Sequence, residues 1–150
     1  HLRQVKARVI HVQRRNLLEK FVSLKLAEMT RVWFAYSEPT RERPTLELDL
    51  KETEAYFERA TDAYAAHARE LDSLPAITVI YEELSAHYPR ELSRIFAFLQ
   101  VRTDIRVRPS IVKQERRTLP EIIRNYDEVE KHLAGTRWES FLDTSRRTAG

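Results

Sequence analysis

Residues 10–23 read IHVQRRNLLEKFVS. An apolar, β-branched run ends on Arg14, Arg15 and Asn16, and a helical pattern carrying Ser23 follows at once. The run starts at Ala7, and ARVIHV (7–12) has the composition of a buried strand. Asn16 is suited to cap a helix running to about Thr30, with Leu17, Phe21 and Leu24 on one face. A second run of the same kind, ITVIY from Ile77 to Tyr81, follows the break at Pro75. Two apolar strands separated by helices predict a βαβ-type parallel sheet and an α/β fold. Two strands make a poor sheet by themselves. The chain therefore reads as part of a larger α/β domain, or as one whose other strands leave no clear pattern.

Most of what remains has helical spacing. Asp49 is a plausible N-cap for a long helix to about Leu71, with Phe57, Ala60, Tyr64, His67 and Leu71 on its apolar face. Pro89 opens a helix through Leu99, and Pro120 opens another that stops at Gly135. A last short helix holds Trp138, Phe141 and Leu142. Residues 37–46 and 101–118 read as loop or extended chain, and the tail after Asp143 as frayed. No repeat or heptad is visible. One domain over 1–142 with a tail at 143–150 is expected.

Composition narrows the chemistry. The chain has 150 residues, 42% hydrophobic and 33% charged, as in a globular protein. Lys and Arg total 26 against 23 Asp and Glu, a net charge of +3. That balance permits an anionic ligand without demanding nucleic acid. There is no cysteine, so disulfides and thiolate metal sites are excluded. No apolar stretch approaches the roughly 20 residues of a transmembrane helix, and no signal peptide is visible at the start. A soluble, cytoplasmic protein without membrane partners is expected. Glycine is scarce: Gly135 and Gly150 are the only 2. A loop that wraps phosphate in backbone N–H groups needs glycine, and neither G-x-x-x-x-G-K-[ST] nor G-x-G-x-x-G occurs. A nucleotide bound by this chain would have to be held by side chains, or the cradle would have to lie elsewhere.

Arg15 stands at the carboxyl end of the first strand, where ligands gather in parallel sheets. Ser23 lies eight positions on, about two helical turns away. A guanidinium fork with a hydroxyl makes a phosphate clamp. Spacing alone favours the plainer role of a surface arginine and a serine bonding its own helix. Of the five histidines, His11 and His67 read as packed core, His87 and His132 as surface or boundary, and His1 is terminal. None forms the i,i+4 pair of a helical zinc site, and no metal is expected.

The spacing R-N-x6-S after V-I-H-V resembles the 3′-phosphate-binding segment of sulfotransferases that use 3′-phosphoadenosine-5′-phosphosulfate (PAPS). ITVIYEEL resembles that family's strand ending in Y-E-[DE]-L, and PRELSRIFAFLQV its following helix and strand. KQERRTLPEIIRNYDEVEKHLAGTRWESFL resembles the C-terminal part of bacterial members related to the carbohydrate-modifying type. The four segments run in the family's order from about residue 7 to 142. The resemblance implies a P-loop-NTPase-like fold, a parallel sheet flanked by helices, with this chain mostly helical and few-stranded. It implies that Arg15 and Ser23 hold the 3′-phosphate of PAPS or of its product 3′,5′-bisphosphoadenosine (PAP). It further implies that Tyr81 contacts the adenine and that Lys113, Gln114, Arg116 and Arg117 return to the phosphate. Gln100 departs from the family's glycine in F-L-G-V. The family's loop around the 5′-phosphosulfate and its general base find no match here. The chain thus resembles the C-terminal half to two-thirds of an enzyme, and no catalytic residue is assigned.

The resemblance implies a small-molecule or carbohydrate acceptor, and a homo-oligomer is compatible with it. From their position next to the loop at 37–46, and not from the resemblance, Trp33, Phe34 and Tyr36 are read as lining the acceptor site. Two other readings stay open. A basic nucleic-acid binder would use Arg14, Arg15, Lys20, Lys25, Arg102, Arg106, Arg108, Lys113, Arg116 and Arg117, but acidic residues are interleaved among them. A helical interaction module would keep the fold and bind no small ligand. Glu82 and Glu83 read as a catalytic pair or as structural carboxylates that bond nearby backbone.

Overall fold

A computed structural model describes residues 7–33, 44–102 and 117–142. Strand β1 (Val9–Gln13) leads through Arg14, Arg15 and Asn16 into helix α1 (Leu17–Thr30). Then follow α2 (Leu50–Leu71), β2 (Ala76–Ile80), α3 (Tyr81–Ala86), α4 (Tyr88–Leu99), α5 (Leu119–Ile122) and α6 (Tyr126–Leu133), and a 3-10 turn at Glu139–Phe141. The described chain is mostly helical, with a small parallel sheet of two strands. β1 and β2 pair in register from Val9 opposite Ala76 to Gln13 opposite Ile80. Parallel strands need a long crossover, and α1 and α2 lie within it.

The predicted caps form. The Asn16 side chain accepts the Glu19 N–H at 2.9 Å, and Asp49 Oδ1 accepts that of Glu52 at 2.7 Å. Each satisfies a backbone donor that a helix start leaves open. Helix α4 ends at Gln100, which sits in the left-handed region at φ +58°. A non-glycine residue there costs about 1–2 kcal/mol. Glycine would relieve that cost but loosen the unfolded chain by about 0.4–1 kcal/mol. Gln100→Gly is therefore expected to raise stability by up to about 1.6 kcal/mol, read from the urea midpoint.

The chain divides into two compact units. Of the described residues, the first takes in 7–15 and 58–102, and the second 16–33, 44–57 and 117–142. The second holds nearly all of the buried apolar side chains. Leu17, Leu18, Phe21, Val22, Phe57, Leu119, Ile122, Val129 and Leu133 are almost inaccessible. The single helix expected from Pro120 to Gly135 is broken in two. Ile123 forms a parallel bridge with Leu46, whose N–H donates to Ile122 O at 2.8 Å and whose carbonyl accepts the Arg124 N–H at 2.7 Å. Asn125 then clamps Leu48, accepting its N–H at 3.0 Å and donating to its carbonyl at 2.9 Å. These long-range bonds outweigh the local helical preference of the segment.

The first unit carries the sheet, and only Val79 among its described apolar residues is fully buried. This corrects the expectation of two buried strands. Ile10 is exposed, and Val12 is 54% exposed. α4 packs along β2, with Arg94 Nη2 donating to Thr78 O at 2.9 Å. On β1 the His11 ring meets Tyr64 and His67 of α2 edge-on, at 6.1 and 5.7 Å. His67 is nevertheless exposed rather than core, because a sheet of two strands is too narrow to cover that part of α2.

Candidate functional site

Because Gln13 pairs with Ile80, the residues after each strand leave the sheet at one edge. Arg14 and Arg15 come off β1 there, and Tyr81, Glu82 and Glu83 open α3. The Arg14 guanidinium lies over the Tyr81 ring, 4.8 Å from its centroid, a cation–π contact. Its backbone N–H donates to the Tyr64 hydroxyl at 3.2 Å. The Arg15 backbone N–H donates to Glu82 Oε2 at 3.1 Å, and its Nη1 to Glu83 Oε1 at 3.1 Å. Glu83 Oε2 accepts from Arg90 Nη2 of α4 at 3.0 Å. Arg90 Nε also donates to Glu91 Oε1 at 3.3 Å. Glu91 is 5% exposed and holds Arg94 through Nη2 at 2.8 Å.

Arg15 and Tyr81, assigned from sequence to phosphate and adenine, thus stand at the same sheet edge. The Arg15 side chain is 55% exposed, and a guanidinium has donors beyond the one given to Glu83. The Arg15 and Arg90 guanidiniums meet the Glu83 carboxylate, and that of Arg14 lies over Tyr81 next to them, so with Glu82 three cations stand against two carboxylates, an excess of positive charge suited to an anion. The Tyr81 face is already in contact with Arg14, so an aromatic base would meet the pair rather than a bare phenol. Glu82 binds backbone and Glu83 binds two arginines, the arrangement of structural carboxylates. Sequence reasoning did not single out Arg90 or the contact of Arg14 with Tyr81. The signal available was only that Arg90 follows Glu83 by seven positions, across the break between α3 and α4.

The other predicted positions belong to the second unit or fall outside the described residues. Ser23 is an exposed residue of α1, in the second unit. Arg117, also in the second unit, donates through Nη2 to Pro44 O at 3.0 Å. Lys113, Gln114 and Arg116 fall outside the described residues, as do Phe34 and Tyr36, while Trp33 is exposed. Among the described residues no group of three His, Asp or Glu side chains is placed to hold a metal ion, and no helix is long and apolar enough to cross a membrane.

Hydrogen bonds from Arg90, and after them Arg15, hold the Glu83 carboxyl below the ordinary value of 4.5, against an opposing effect of desolvation. Arg94, and then Arg90, do the same for Glu91, again against desolvation. A carboxyl depressed in the folded state adds stability above its unfolded pKa, and that stability is lost as pH falls through the folded value. The thermal midpoint is therefore expected to hold above about pH 4.5 and to fall below it. In Glu91→Gln the acid-side slope should be shallower. An equal slope would remove this ion-pair group as a source of the acid sensitivity.

The chain is similar to Nodulation protein H of Rhizobium tropici, with 31% identity over 136 residues, covering 90% of this chain and 55% of that protein. It is 30% identical to Nodulation protein H of Rhizobium meliloti over 138 residues, covering 91% and 56%. The chain therefore spans about half the length of the curated relatives it matches. No family model matches the chain, and no solved structure matches it. These findings correct the recognition drawn from the motifs. The relatives found are the nodulation proteins H, which take the place of the carbohydrate-modifying type named from the motifs.

Proposed function

We propose that this chain is part of a sulfotransferase that draws on PAPS, and that it holds the 3′-phosphate and adenine end of that nucleotide. The observation that carries the reading is the in-register parallel pairing of β1 with β2, which brings Arg15 and Tyr81 to one carboxyl edge. The order of the four motifs supports it. Similarity to the nodulation proteins H over nine-tenths of the chain is consistent with it.

In this reading Arg15 contacts the 3′-phosphate, and Tyr81, backed by Arg14, meets the adenine; Ser23 is added to the phosphate contacts by the motif resemblance alone. Lys113, Gln114, Arg116 and Arg117 add positive charge and donors to the phosphate. The two strands belong to a parallel sheet of the P-loop-NTPase-like type. A hydroxyl of a small molecule or carbohydrate attacks sulfur and loses its proton to a base, while the S–O bond to the phosphate breaks and PAP leaves. This chain's share is to bind and orient.

Calorimetric titration of the 150-residue chain with PAP, against 5′-AMP, tests the proposal. Binding that requires the 3′-phosphate and weakens in both Arg15→Ala and Ser23→Ala is the expected result. Equal affinity for the two nucleotides, or binding of neither by a folded chain, would sink the assignment and favour a helical interaction module.

A further inference from the structure

The Glu83 carboxylate touches the guanidinium that the proposed function assigns to phosphate. Beside an anionic ligand, a carboxylate acts in two opposing ways. It repels the phosphate, and it orders the arginine that binds it. The geometry decides which effect is larger. Glu83 gives one oxygen to Arg15 and the other to Arg90, at 3.1 and 3.0 Å. Its charge is therefore shared between two cations, and its partial exposure lets solvent screen what remains.

The ordering effect, by contrast, is anchored in depth. Arg90 bonds Glu91, which is buried, Glu91 bonds Arg94, and Arg94 bonds the Thr78 carbonyl of β2. A continuous series of charged contacts thus runs from the strand backbone to the tip of Arg15. Glu82 fixes the same residue from its backbone side. An exposed arginine without such support would lose more rotamer freedom on meeting a ligand.

We infer that Glu83 is a positioning residue: it presets the Arg15 guanidinium, with Arg90 as counter-cation, for an anionic phosphate ligand. The inference rests on the reading of Arg15 as the phosphate contact.

The test is a double-mutant cycle on the 150-residue chain, titrated with PAP and with 5′-AMP. Glu83→Gln keeps the shape and removes the charge. It is expected to weaken PAP binding about three- to tenfold, leave 5′-AMP unchanged, and cause no further loss in an Arg15→Ala background, since coupled residues are not additive. Glu83→Asp keeps the charge but shortens the reach, and should weaken PAP binding likewise; comparing the two also guards against misfolding of one variant. Tighter PAP binding in Glu83→Gln would mean that repulsion dominates and would overturn the inference. An equal loss in the Arg15→Ala background would overturn it too, because Glu83 would then not act through Arg15. A wild-type chain that does not prefer PAP to 5′-AMP would remove the reading of Arg15 itself, and the inference with it, before any change at Glu83 is made.

Discussion

Phe57→Ala is expected to destabilise the chain by about 3–5 kcal/mol. Phe57 is 0% exposed, and its ring meets Trp138 at 5.4 Å, Phe141 at 5.1 Å and Tyr56 at 6.4 Å, all tilted towards edge-on. Tyr56 in turn meets the Phe21 ring at 4.7 Å, tilted by 31°. Truncation removes the transfer energy of a whole ring and leaves a void that its neighbours fill only in part. Aromatic pairs of this geometry add about 0.5–1.5 kcal/mol each beyond burial, so the upper half of the range is favoured. The measurement is the urea midpoint at unchanged m-value. A loss below about 1 kcal/mol would mean that Trp138 and Phe141 close over the site, and that the aromatic cluster is not what holds the second unit together.

The local signals in the sequence proved reliable where one residue type answers one backbone need. Asn16 and Asp49 cap the helices they were expected to cap, and both strands form within two residues of their predicted limits. What failed needed information from far along the chain. PEIIRNYDEVEKHL keeps helical spacing through Ile122, Ile123, Tyr126, Val129 and Leu133. Nothing within it reveals that Leu46 will pair with Ile123, or that Asn125 will clamp Leu48. The burial of β1 was overestimated for a related reason. A β-branched run shows that a strand is apolar, but whether Ile10 and Val12 are covered depends on what lies across the sheet. The site divides the same way. Arg15 and Tyr81 were legible as residues that follow strands, whereas the Arg15–Glu83–Arg90 group depends on how α3 and α4 are placed.

Arg15→Ala is expected to weaken PAP binding by about 1.5–3 kcal/mol, roughly ten- to 150-fold. The range is that of a hydrogen bond to a charged group. Exposure of the Arg15 side chain argues for its lower end, since solvent screens the pair. A second effect pushes upward. Without Arg15, Glu83 keeps Arg90 alone as partner, and its charge is less well compensated towards the phosphate. Ser23→Ala removes a single hydroxyl and should cost less. Both losses should vanish for 5′-AMP, which lacks the 3′-phosphate, and the Arg15 effect should shrink as salt rises. Parallel losses for PAP and 5′-AMP would move Arg15 away from the 3′-phosphate and leave it as an arginine that braces the start of α3. A loss confined to PAP would tie the sheet edge where β1 and β2 end to recognition of that phosphate.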